Sequence, residues 1–184
     1  MKILNIIRNA EPTSEPVGLK EAKTHLRIDG TASDWEIPAM ISAARGAAEE
    51  FCNRYWAECT VTVIYDTFPL GTKAIDLPFP DVQSVTSITY LVDDLDTALG
   101  TSPAEFTLDS ERQRITTILS AWPTGTLVKV KMVVGAVPPQ MVKNGMLILI
   151  GDLFENRQAQ AIQQLYDNRA AFNLMIPHRV RMGI

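Results

Sequence analysis

The sequence predicts an α+β protein. Its expected form is a helical bundle body, two N-terminal helices plus a long C-terminal helix, with an inserted antiparallel β-module. Three observations predict this. Apolar residues recur at spacings of three and four across residues 18–56 and again after residue 138. Between these stretches, residues 57–137 switch to period-two alternation rich in Val, Ile, Thr and Tyr. The pair Pro138-Pro139 then ends the alternation where a helix can begin.

Composition bounds the function before any motif does. The chain has 184 residues, 46% hydrophobic and 21% charged, with a formal net charge of -4. That is one medium domain or two small ones, with material for a real core. The acidic balance argues against a general nucleic-acid binder, which carries a strongly basic face. Two cysteines, Cys52 and Cys59, and two histidines, His25 and His178, are too few for a disulfide scaffold or a structural zinc site. The longest apolar run, Met146–Ile150, falls far short of the ~18–20 residues that a membrane span requires. Residues 1–8 are apolar but interrupted by Asn5 and closed by Arg8, so they read as a strand or arm and not as a signal peptide.

The elements follow in order. Residues 9–17, with Pro12 and Pro16, are an extended lead-in, which makes 1–17 an N-terminal arm. A short helix starts after Gly18 and ends at Asp29-Gly30, with Leu19, Ala22 and Leu26 on one stripe. The second helix opens on Ser33 and Glu36, spaced as a capping box. It then carries Ile37, Met40, Ile41, Ala44, Ala48, Phe51 and Tyr55 on one side, and Arg45, Glu49, Glu50 and Arg54 on the other. Strands are expected at 58–67, 73–77, 82–92, 106–108, 114–119 and 126–136, forming one sheet of about five or six strands, with a loop at 93–103. Residues 140–155 are apolar on most sides, which calls for burial against several neighbours. Ala170–Ile176 reads as a short helix stopped by Pro177, and 177–184 as a basic tail. The helical body is thus assigned to 18–56 and 138–176, and the β-module to 57–137.

Catalytic patterns are missing from the sequence. There is no G-x-S-x-G, no GxxxxGK[ST] and no GxGxxG. His25 sits on the polar side of a short helix, and His178 in the tail. Two stretches stand out by charge instead. Asp93, Asp94, Asp96, Glu105 and Asp109 form an acid-only run without the spacing of a calcium loop. It reads as a solvated loop, or as an acidic rim facing a lumen or a basic partner. After Asp167 the charged residues are all arginines, Arg169, Arg179 and Arg181, so the tail reads as a frayed end or as a docking arm.

The order of motifs resembles a known family. Val17 through Asp29, with Leu19, Ala22-Lys23 and Leu26-Arg27, followed by Asp34 and an Ala-rich helix at 36–54, is similar to the opening of the head–tail connector (adaptor) proteins of long-tailed bacteriophages and prophages. The helix after Val137-Pro138, with Leu153 and Glu155-Asn156-Arg157, and the closing Leu174-Met175-Ile176-Pro177-His178-Arg179 also resemble that family. Gly18 and His178 depart from its commoner Ser or Thr and Tyr. The resemblance implies a virion structural protein of the neck, assembled in the host cytoplasm, with no catalysis, cofactor or metal. It implies a homo-dodecameric ring beneath the portal protein that extends the DNA channel without sequence-specific binding and offers a platform to the next neck or tail protein. No membrane partner is implied. It makes Pro177, His178, Arg179, Val180, Arg181 and Met182 candidate portal-docking residues. Asp93, Asp94, Asp96, Glu105 and Asp109 become a candidate channel or subunit-interface loop. Two other readings stay open: a neck stopper or tail-terminator protein, and a small α+β hydrolase or ligand-binding domain using Asp93, Asp94 or Asp109 with His25.

Overall fold

The computed structural model describes residues 1–100, 102–156 and 168–180. The chain runs β1 (Ile3–Arg8), α1 (Leu19–Leu26), α2 (Ile37–Cys52), β2 (Cys59–Thr67), β3 (Ile75–Asp76), β4 (Val82–Val92) and β5 (Leu95–Ala98). It continues with β6 (Phe106–Asp109), β7 (Arg114–Thr117), β8 (Thr126–Val134), α3 (Gln140–Glu155) and α4 (Arg169–Met175), then a 3₁₀ turn at Ile176–His178. It separates into two compact units, Met1–Thr13 with Glu58–Gly135, and Ser14–Ala57 with Ala136–Ile184.

The first unit holds two antiparallel sheets, one of five strands in the order β1-β2-β8-β4-β5 and one of three in the order β3-β7-β6. Period-two patterning explains the five-stranded sheet. Val61, Val63 and Tyr65 of β2 stand opposite Met132, Val130 and Val128 of β8, and all six are buried. Phe68, stacked on Trp122 at 5.3 Å and edge-on to Tyr90 at 5.1 Å, closes one end of this core. The Tyr65 hydroxyl donates to the Asp76 carbonyl at 3.0 Å and so ties β2 to β3 of the smaller sheet. Burial, reinforced by the Asp76 charge, pushes that hydroxyl well above its ordinary pKa.

The second unit contains the four α-helices of the described residues. Its core joins Val17, Ala22, Ile41, Ala44, Ala48 and Trp56 to Val142, Met146, Leu149 and Ile150, with Ala171, Phe172 and Met175 from α4. Gly145 is where α3 and α4 come closest. A Cβ placed there would stand 2.5 Å from Met175 Cε and 3.0 Å from the Ala171 carbonyl oxygen. None of the described helices is long and apolar enough to cross a membrane.

The fold class expected from the sequence needs correction. The chain is α+β, but the helical bundle body of two N-terminal helices plus a long C-terminal helix does not describe it. A bundle runs helices side by side for several turns along a shared seam. Only α2 and α3, of 16 residues each, have that length, and α1 and α4 have 8 and 7. Spacing alone reads as a stripe after two turns, and Leu19, at the start of the α1 stripe, is 36% exposed. The β part also differs from one inserted sheet. Two sheets form, and β1 from the N-terminal arm supplies an edge strand of the larger one. Part of the expected 93–103 loop is a strand, β5. The capping box does not form either. Glu36, not Ser33, precedes the first turn of α2, and it makes no side-chain cap bond.

Candidate functional site

The acid-only stretch is split by the fold. Asp93 and Asp94 are the two central residues of the β4–β5 hairpin, with φ of 49° and 63°. That is the doubly left-handed turn whose twist suits a two-residue hairpin, and Asp tolerates it better than most side chains. Asp96 lies on β5 and pairs with Lys129 Nζ of β8 at 3.1 Å. Glu105 turns inward on its own loop, where Oε2 accepts the Gly100 N–H at 2.6 Å. Asp109 ends β6, with Arg114 at 3.6 Å and Arg112 at 3.8 Å. Lys129 lies 33 residues from Asp96, and only the strand order brings them together. The five acids are therefore divided between the β4–β5 hairpin, a loop and the end of β6 in the other sheet, and do not form one continuous rim of unpaired charge.

The C-terminal segment is built onto the end of α2. Asn53, in the left-handed conformation at φ 52°, caps that helix. Its Nδ2 donates to the Val180 carbonyl at 3.0 Å, and the Val180 N–H donates to the Cys52 carbonyl at 2.9 Å. Arg179 lies over the Phe51 ring at 5.1 Å, and His178 meets Trp56 edge-on at 6.4 Å. Pro177 does not simply stop the helix but sits inside the 3₁₀ turn. Of the predicted docking residues, Pro177 and Arg179 are exposed and His178 and Val180 half-buried, while Arg181 and Met182 lie outside the described residues. Cys52 lies beneath this segment, and burial pushes its thiol pKa up.

One charged constellation escaped the sequence reading, which placed Arg45 and Glu49 on the polar side of their helix. Both are buried, at 2% and 5% exposure. Arg45 donates from Nη1 to Glu49 at 3.0 Å, from Nε to Glu15 at 2.8 Å and from Nη2 to Ser42 Oγ at 3.2 Å. Glu49 Oε1 accepts the Trp56 N–H at 2.9 Å. These bonds fasten the lead-in and the chain after α2 to that helix. The i,i+4 spacing of Arg45 and Glu49 is the one signal that would have found it.

The residues expected for hydrolysis are not gathered by any one element. His25 lies on α1, with Nε2 3.9 Å from where a Cβ on Gly151 would stand, whereas Asp93, Asp94 and Asp109 belong to the sheet-bearing unit. Among the described residues no group of three or more His, Cys, Asp or Glu is placed to hold a metal ion.

With this geometry in view, the likeness to known proteins is informative. The family described as phage gp6-like head-tail connector protein matches residues 17–90. The head completion protein gp6 of Enterobacteria phage HK97 is 46% identical over 41 residues. Over this N-terminal stretch the chain is similar to head–tail connector proteins. The stretch shared with the HK97 protein spans 22% of this chain and 38% of the phage protein. The fold likeness extends much further than the sequence likeness. A chain of the neck of an empty gene transfer agent (GTA) particle, computed with C6 symmetry, superposes with a TM-score of 0.74 over 98% of both chains at 16% identity. A chain of the native GTA virion gives 0.74 over 97% of both at 18% identity, and one from the native neck computed with C12 symmetry gives 0.70 over 98% of both at 17% identity. The fold likeness thus covers both the helical unit and the two sheets.

Proposed function

We propose that this connector-family chain is a structural, non-catalytic protein of a virion neck. It assembles with copies of itself into a ring at the head–tail junction, between the portal and the next neck or tail protein. The observation that carries the reading is the fold likeness, over 98% of both chains, to a chain of a particle neck. Twelve copies is the expected number, supported by the C12 symmetry used for one of the similar necks. DNA passes the ring without sequence-specific contacts. The doubly acidic Asp93-Asp94 hairpin tip suits a wall that DNA must slide along, because phosphate contacts are what hold DNA. Pro177–Met182 is the portal-facing segment in this reading, supported by the exposure of Ile176, Pro177 and Arg179.

Electron microscopy of the purified protein in negative stain tests the ring. Annular particles with a central hole are expected, alone or with portal. A protein that stays monomeric at high concentration and ignores portal overturns the reading. For the tail, a chain ending at Ile176 is expected to keep its fold by circular dichroism and to lose portal binding in sedimentation. Undiminished binding removes the docking role of 177–182.

A further inference from the structure

We infer that the rings are closed by strand pairing between copies, the free edge of β5 in one copy lying parallel to the free edge of β1 in the next. This rests on the ring reading above and assigns its lateral contact.

Both edges of the five-stranded sheet are open among the described residues: β1 pairs only with β2, and β5 only with β4. Open edges present unpaired N–H and C=O groups, and folded proteins usually blunt them with proline, inward-pointing charges or a cover. β1 contains no proline and carries Ile3, Leu4 and Ile7 at 39%, 51% and 41% exposure, with a one-residue bulge at Leu4 and the Ile6 N–H already donated to Asn5 Oδ1 at 2.8 Å. At the other edge, Leu95 of β5 is 71% exposed and Val92 beside the turn 38%. Each edge thus offers an apolar strip next to a row of backbone hydrogen-bonding groups.

Charge selects which edge meets which. The β1 strand is flanked by Lys2, with no acid from there to Arg8, which Glu11 engages at 3.5 Å. The β5 edge opens on Asp93 and Asp94, while Asp96 is engaged by Lys129 of the same copy at 3.1 Å. Pairing β1 with β1 antiparallel about a two-fold axis would set Lys2 near Arg8 of the other copy, and pairing β5 with β5 would set aspartates together. Like charges across strands are unfavourable, and both arrangements stop at a dimer. β1 parallel to β5 sets Lys2 beside Asp93 and Asp94 and leaves a free edge at each end, so it propagates until a ring closes.

Direction follows from topology. All neighbours in the sheet are antiparallel and there are five strands, so β1 and β5 run the same way. In a twelvefold ring each copy is turned by only about 30° from its neighbour, which preserves that direction. The shared contact is therefore parallel.

Cross-linking with a short bis-maleimide tests both the contact and its direction. The natural Cys52 and Cys59 are buried, so the unaltered protein is the blank. The double variant Leu4→Cys/Leu95→Cys should give a ladder of covalent oligomers, and each single variant none. Ile7→Cys/Ala98→Cys should also link well, whereas Ile7→Cys/Leu95→Cys should link poorly. Lys2→Glu and Asp94→Lys should each weaken self-association at least about tenfold in sedimentation, and combining the two should restore it. Circular dichroism checks that each variant is folded. Rings in the unaltered protein with no ladder from the edge cysteines, or with both charge variants assembling normally, overturn the edge contact and leave the ring reading standing. Dimers from Leu4→Cys alone also overturn it, in favour of a two-fold contact. An unaltered protein that never assembles removes both.

Discussion

The two units of this chain treat polar and apolar groups in opposite ways. The helical unit takes a guanidinium and a carboxylate out of water and satisfies them internally, through Glu15, Ser42 and the Trp56 N–H. The sheet unit keeps its charges at the surface and leaves Ile3, Leu4, Ile7 and Leu95 at two open strand edges. The first arrangement fixes one conformation of one copy. The second leaves hydrogen-bonding capacity and apolar area unused until another chain arrives. The helical unit is therefore where stability is expected to be most sensitive to mutation, and the sheet edges where assembly is.

The largest effect should come from breaking the buried ion pair. Arg45→Met strands Glu49 beside an apolar core and is expected to cost about 3–5 kcal/mol in urea unfolding. Arg45→Met/Glu49→Leu should recover much of that loss, since removing both charges also removes their desolvation. A small loss for the single variant would mean that the pair is solvated and that the contrast between the units is false. Next comes Gly145. Gly145→Ala pushes a methyl towards the Ala171 carbonyl and Met175, so α4 must shift, at about 1–3 kcal/mol by the same measurement. The edge variants Leu4→Cys and Leu95→Cys should move monomer stability by no more than about 0.5 kcal/mol. A larger loss would show that these strands are finished within one copy.

The smallest effect is a pH response at the β1 edge. Asp66 accepts the Lys2 N–H at 2.6 Å and the Thr67 N–H at 2.7 Å, and the Lys2 bond first, then that of Thr67, holds its carboxyl below its ordinary pKa. A depressed carboxyl contributes stability above its unfolded pKa and loses it as pH falls through the lower folded value. The tie between the start of β1 and β2 should thus persist from neutral pH to about pH 4 and fail below it. Amide exchange at Lys2 and Thr67 follows this directly, and exchange rates that stay flat through that window would show that the bond does not hold β1.

Much of this architecture could be read from residue order. The long helices and the three long strands, β2, β4 and β8, announce themselves by periodicity, because each buries one continuous face. What failed did so for physical reasons. Arg45 and Glu49 were assigned to water because a helical wheel sees type and angle, not a partner 30 residues away such as Glu15. β5 was lost because Asp93-Asp94 reads as loop composition, although two left-handed residues make a tight hairpin. The bundle was over-read because spacing does not report helix length, and two-turn helices give the same stripe. The candidate surfaces were visible as charge patterns in sequence, but Lys129, the counter-ion of Asp96, comes from a strand that only the sheet order makes a neighbour.

The cap that Val180 places on α2 has a consequence for any role of the tail in recognition. A partner that draws this segment away must first break its two hydrogen bonds, to the Cys52 carbonyl and from Asn53 Nδ2. At about 0.5–1.5 kcal/mol each, these hold the tail closed by roughly 1–3 kcal/mol. The observed affinity is then lowered by the closed fraction, about 5- to 150-fold. A partner that reads the tail in place, through exposed Pro177 and Arg179, escapes this discount. The same segment can therefore act as a latch or as a fixed epitope, and the reactivity of Cys52 beneath it, measured with and without partner, tells the two apart.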